Sequence, residues 1–357
     1  MARLRTALLV SILLAPGASA LAAPQAGYPN VRNFGLVPDP GAAWYRQCLR
    51  VQHRQVPVGD LPRTPHTPNT GDGDGAHCNA GQRYYDKLSQ AATSPAEWHQ
   101  VRYCALASND TPVLMMLYAN GFGVTRDADL AIRYACSSDG ALAEMEGRVM
   151  HLVRRKAAPS GDRFDQCDDI TSGFMGGYCA SIADDQAGRI RTAFLARARK
   201  AMSAPQQVAF DALLTAASTF AASRGNDETD MSGTARAAMA IDATAREQEW
   251  LREHVAAFEK GQVNLPAPEQ FAAADAELNR VYRRVMQASA TDPDHPQRLA
   301  WSTVEKSSVR ATQRAWLAYR DAWVRFAAVR YPTIDPAALK SALTQWRSKQ
   351  LVAFAPE

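Results

Sequence analysis

The sequence predicts an all-α protein: a short helical repeat followed by two small helical bundles. Three observations carry this. Long proline-free stretches are rich in Ala, Leu, Arg, Glu and Gln, the residues that cost least in a helix. No run shows the period-two alternation of β-branched residues that a half-buried strand needs. Pro266, Pro268, Pro293, Pro296, Pro332 and Pro336 fall between the helical stretches, where a missing N–H does no damage.

The chain opens on MARLRTALLVSILLAPGASALAAP. Arg3 and Arg5 precede a short apolar run from Ala7 to Ala15, and Ala18-Ser19-Ala20 and Ala20-Leu21-Ala22 are small-x-small cleavage sites. Residues 1–22 are therefore expected to be a cleavable signal peptide. The run is too short to span a bilayer, and no later segment reaches the ~18 uninterrupted apolar residues a span requires. The first cysteine is Cys48, so no lipid anchor is expected, and the mature chain is placed in the periplasm or outside the cell. There disulfides persist, which makes Cys48, Cys78, Cys104, Cys136, Cys167 and Cys179 structural candidates. The simplest proposal is three sequential pairs: 48–78, 104–136 and 167–179. No C-x-x-C occurs and the seven histidines are scattered, so no metal or cofactor is expected. The formal charge is +4, and losing Arg3 and Arg5 leaves 38 basic against 36 acidic residues. That balance implies neither nucleic-acid nor membrane binding. Roughly 335 mature residues fit two or three domains.

Residues 23–77 are rich in Pro and Gly, and VPVGDLPRTPHTPNTGDGDG (56–75) reads as a linker. Asp72-x-Asp74-Gly75 resembles the start of a calcium loop, but Arg83 stands where the closing glutamate belongs. Residues 78–160 are expected to be paired helices. Gly121 can take the left-handed conformation that ends one helix, Val124 can bury in the turn, and Asp127 suits the N-cap of the next helix. Arg102-Tyr103-Cys104 recurs as Arg133-Tyr134-Ala135-Cys136, about 31 residues on, as stacked units do. Met115, Tyr118, Tyr134 and Met145 are expected in their core, the other reading being a ligand-binding concave face of the repeat. The stretch LMMLYANGFGVTRDADLAIRYAC (114–136) resembles the Sel1-like repeat, a relative of the tetratricopeptide unit, at Leu117, Tyr118, Gly121, Gly123, Val124, Asp127, Ala131 and Tyr134.

Residues 163–262 and 268–355 form the two expected bundles. The helix anticipated at 302–331 carries the most specific pattern. Gln313, Trp316, Arg320, Trp323 and Ala327 share one face, widened by Tyr319 and Phe326. One reading buries Trp316, Trp323 and Phe326 as core, with Arg320 and Asp321 bracketing a buried polar network that sets the register. The other makes Gln313, Arg314, Trp316, Tyr319, Arg320 and Asp321 a partner-binding rim, since Trp and Arg anchor interfaces.

These residues also carry a resemblance. Asp275, Leu278, Asn279 and Tyr282, then Gln313-Arg314-x-Trp316-x-x-Tyr319-Arg320-Asp321, then Leu343-Thr344-x-x-Arg347 resemble the domain named for the bacterial lysozyme inhibitor LprI. Upstream, Cys167, Thr171, Met175, Cys179 and Ala180 resemble that family's cysteine-bearing opening, which supports the 167–179 pairing. Phe210, Phe220 and Arg224 parallel Trp316, Phe326 and Arg330, so 163–262 reads as a degenerate first copy. The resemblance implies a lysozyme inhibitor or envelope-protective factor that binds a protein partner. The alternative is a periplasmic scaffold whose Sel1-like repeats recruit an envelope protein.

Little in the sequence suggests an enzyme. H-E-x-x-H, the P-loop and G-x-S-x-G are all missing. Asp168-Asp169 and Asp184-Asp185 are sequence neighbours whose side chains diverge on a helix. GNDETDMSG (225–233) and ATDPDHPQ (290–297) are acidic loops suited to approach a basic lysozyme.

Overall fold

Helices begin where a side chain takes up the free N–H groups of a first turn. Asn79, Asp110, Asp127, Ser172 and Asp335 do this by accepting from Gln82, Val113, Leu130, Met175 and Ala337/Ala338 respectively. Pro112, Pro205 and Pro336 stand in first turns, where proline costs no hydrogen bond. The computed structural model describes residues 27–31, 39–62, 78–158 and 161–355. Among these are α1 (Ala43–Val51), α2 (Ala80–Leu88), α3 (Pro95–Ser108), α4 (Thr111–Asn120), α5 (Ala128–Ser137) and α6 (Leu142–Ala157). They continue with α7 (Gly173–Lys200), α8 (Ala204–Asp227), α9 (Arg236–Glu259), α10 (Phe271–Gln287), α11 (Lys306–Arg330) and α12 (Pro336–Val352). The described residues form no strand, only one isolated bridge between Arg298 and Glu305. The protein is all-α, as expected. The expected signal peptide, most of the expected linker and the Asp72–Gly75 motif lie outside the described residues.

The chain divides into two compact units: Met1–Cys78 with Arg102–Phe164, and Asn79–Val101 with Asp165–Glu357. In the first, α4 packs on α5, α5 on α6, and α1 on both α5 and α6. Gly121 ends α4 at φ 75°, and its N–H reaches Leu117 O at 2.8 Å. Met115, Tyr118, Tyr134 and Met145 are buried. The disulfides correct the sequential pairing. Cys48 joins Cys136, Cys78 joins Cys104, and only Cys167–Cys179 is as expected. The reason is packing: seating α1 on α5 brings the Cα atoms of Cys48 and Cys136 within 5.8 Å, although 88 residues separate them.

The second unit is built on α7 to α12. α7 packs along α9 and α10 along α12, while α8 lies against both α9 and α11. The α8–α11 pair is antiparallel, since Phe210 meets Phe326 at 5.0 Å and Phe220 meets Tyr319 at 5.5 Å between ring centroids. One hydrophobic cluster runs from Phe210, Leu213 and Phe220 through Leu251, Val255 and Phe258 to Trp316, Trp323, Phe326 and Leu343. The two expected bundles thus share a core. α2 and the first turns of α3, placed with the repeats by the sequence, group with this unit. Glycines permit its closest approaches. A Cβ at Gly177 would lie 2.8 Å from Ala237 Cβ, and one at Gly225 would lie 2.7 Å from Ala240 O and closer still to Thr244 Oγ1.

Candidate partner-binding surface

The α11 residues divide between core and surface. Trp316, Tyr319, Trp323, Phe326 and Ala327 are buried. Each buried Trp removes about 150–250 Å² from water, worth roughly 4–6 kcal/mol before entropy is counted. Trp316 and Tyr319 therefore belong to the core, not to a rim. Burial also pushes the Tyr319 phenol up, so it stays neutral. Arg314 is exposed, and Gln313, Arg320 and Asp321 are half-buried. Arg320 lies 5.2 Å over the Trp316 ring and donates at 3.1 Å to the neighbouring Asp321. That carboxylate is 47% exposed, so the pair does not bracket the expected buried network.

The network exists elsewhere, centred on Arg347. Its guanidinium grips the Glu228 carboxylate with two bonds, 2.5 and 2.9 Å, and neither side chain has measurable exposure. Arg347 Nε donates to Gln313 Oε1 at 2.8 Å and Nη1 to Gln350 Oε1 at 3.1 Å, and the guanidinium lies 5.6 Å over the Phe220 ring. Arg224 pairs with both Glu228 and Glu247, and Gln350 donates to Glu247 at 2.6 Å. Burial, partly offset by Arg224, holds the Glu247 carboxyl above its ordinary range. Planar Arg satisfies such a fork where Lys would not. The network ties α8, α9, α11 and α12 together. Gln313 and Arg347, singled out in the sequence, thus work as architecture. Glu228, inside the presumed exposed 225–233 loop, is one of its buried anchors. That loop is shorter than expected: α8 runs to Asp227, and Gly225, Glu228 and Thr229 are buried.

What remains on the surface is a structured turn. The helix expected from residue 302 starts at Lys306 because the chain just before it folds back on itself. Leu299 N donates to Val304 O at 2.8 Å and Lys306 N to Gln297 O at 2.9 Å, with Leu299 and Val304 buried as feet in the core. Ser302 Oγ donates to Leu299 O at 2.6 Å, and Lys306 Nζ to Ala288 O at 2.7 Å. Ala300 sits at φ 51°, a left-handed conformation seldom held by a residue with a Cβ. The two acidic loops converge here. Thr303 donates to Asp230 Oδ1 from its N at 3.1 Å and its Oγ1 at 3.2 Å, while Met231 N donates back to Thr303 Oγ1 at 2.6 Å. N–H groups of Ser232 and Thr303, with the Ser232 hydroxyl, hold the Asp230 carboxyl down to about 2. At the tip stands Trp301, 77% exposed. It escaped the sequence pattern because it belongs to no helical stripe; an aromatic stranded between Pro296 and a helix start was its only signal.

Among the described residues, no three His, Cys, Asp or Glu side chains group as metal ligands, and no helix is long and apolar enough to cross a membrane. A groove of ≈ 310 Å³, also missed by the sequence reading, lies along α9 and α12, where Trp250 stacks on Trp346 at 5.9 Å.

A protein-family model described as "Lysozyme inhibitor LprI" matches residues 256–351. That span takes in the end of α9, α10, the Trp301 turn, α11 and most of α12. No curated protein and no solved structure matches the chain.

Proposed function

We propose that the protein acts outside the cytoplasm as a binding inhibitor of wall-cleaving muramidases. The observation that carries this is the family match over 256–351, the stretch containing Asp275, Gln313, Trp316, Arg320 and Arg347. The three disulfides agree with an oxidising compartment. Inhibition here is occupancy: the inhibitor covers a cleft and makes or breaks no bond. Asp227, Asp230, Asp292, Asp294 and Glu305 supply an acidic margin on one side of the second unit, suited to a basic lysozyme. The first unit, with its Sel1-like helices, is read as a companion module. The second is read as a duplicated LprI-like fold, α7–α9 followed by α10–α12. The antiparallel α8–α11 contact is compatible with this, because Phe210 meets Phe326, the counterpart of Phe220 in the second copy.

The test is wall lysis by basic animal lysozymes of different classes, with the purified, oxidised, mature protein and binding stoichiometry measured alongside. Dose-dependent inhibition at stoichiometric binding supports the proposal. No binding to any lysozyme overturns it and moves the search to envelope partners of the first unit.

A further inference from the structure

We infer that the Trp301 turn is the inhibitory element itself: a preformed finger whose indole enters an apolar-walled cleft of a cationic protein. The inference rests on the inhibitor reading above and deepens it. Four observations point to it.

The first is exposure against chemistry. Trp301 is 77% exposed on a unit that buries Trp316 and Trp323 completely. A lone tryptophan held in water forgoes several kcal/mol of burial, and buried Trp is the side chain most enriched among interface anchors. The second is rigidity. Leu299 and Val304 root the turn in the core, the Leu299–Val304 and Lys306–Gln297 bonds close it, and Asp230 grips Thr303 from another loop. A side chain presented this way loses little freedom on binding, which is how preorganised binders gain affinity. Ala300, at φ 51°, is the strained residue that turns the tip outward.

The third is apolar company. Met231, bonded through its N–H to Thr303, is 40% exposed. Gly173, at the first turn of α7, approaches the Thr234 backbone so closely that no Cβ fits, and the next residue, Phe174, is 82% exposed. Met231 and Phe174 thus adjoin the two ends of the 230–234 segment, and the Trp301 turn is bonded to the first of these ends. Apolar residues clustered in this way inside a polar rim mark binding surfaces. The fourth is charge. The surrounding loops carry the acids Asp227, Asp230, Asp292, Asp294 and Glu305 against the bases Arg236, Arg298 and Lys306. The patch is acidic on a chain of formal charge +4. It fits a partner with a cationic rim and speeds that encounter at low salt.

The experiment compares mature wild type, Trp301→Ser and Asp230→Ala by calorimetric binding and lysis inhibition against the same basic lysozymes at low and moderate salt. Trp301 is exposed and Asp230 half-buried, and a single cooperative unfolding transition shows that each variant is folded. The expected result is a loss of at least about tenfold in affinity for Trp301→Ser, with inhibition lost in parallel. Asp230→Ala, which frees the finger without removing it, should lose affinity severalfold. Wild type that inhibits, with a Trp301→Ser variant binding within about twofold of it, overturns the finger and leaves the inhibitor reading standing. Wild type that binds no lysozyme overturns both.

Discussion

Replacing Arg347 with alanine should be among the most damaging single changes in the second unit. Arg347 and Glu228 are a bidentate ion pair with no side-chain exposure, 119 residues apart in sequence. Removing the guanidinium leaves a carboxylate in the core. Breaking a buried pair on one side costs about 3–5 kcal/mol. Arg224 still reaches Glu228, which places the expected loss near the lower end, about 3 kcal/mol. The Oε1 atoms of Gln313 and Gln350 also lose the donor that Arg347 supplies. For a unit of this size, that loss corresponds to a fall in unfolding temperature of about 6–12 °C. The assay is heat and urea unfolding of the oxidised protein, followed by far- and near-ultraviolet circular dichroism. A second variant separates charge from shape: Arg347→Met with Glu228→Met removes both charges and should recover to within about 1 kcal/mol of wild type, because apolar replacements of buried pairs are often neutral or better. A loss under about 1 kcal/mol for Arg347→Ala, or a double variant no better than the single, would refute the claim that this pair fixes the register of the four helices.

Three further outcomes are expected. Gly225→Ala, whose Cβ would strike Thr244 and Ala240, should destabilise by about 1–3 kcal/mol, whereas Gly176→Ala, with nothing within 4 Å, should gain most of the roughly 0.8–1 kcal/mol of helix propensity; equal signs in thermal unfolding would defeat the close-approach argument. Opening Cys48–Cys136, which spans 88 residues, should cost about 4–5 kcal/mol by chain entropy, against about 3 for Cys167–Cys179, which spans 12, and non-reducing peptide mapping should recover a 48–136 link. Asp230, held down to about 2, contributes stability that is complete above its unfolded value of about 4 and lost as pH falls through about 2. Protection of the Met231 and Thr303 amides, measured relative to their intrinsic exchange rates, should therefore be high at pH 5 and fall toward pH 2, and an Asp230→Asn protein with the same protection at pH 5 would argue against the brace.

Sequence determined what is local. Helix period and composition depend on neighbours a few residues apart, so the all-α class was legible. So were the α4 stop at Gly121, the Asp127 cap and the burial of Trp316, Trp323 and Phe326. The Gln313 and Arg347 signatures were legible as residues but not as a pair. Tertiary structure alone decided what depends on distant segments meeting. Cys48 chose Cys136 because α1 sits on α5, and proximity along the chain has no part in that choice. Glu228 looked like a loop acid and became the buried partner of Arg347 because α8, α9, α11 and α12 close around it. Trp301 carried no periodic signal; its exposure follows from the buried feet at Leu299 and Val304 and from Asp230, 73 residues away from Thr303. A helix is specified by its own side chains, whereas a binding surface is whatever the packed core leaves outside.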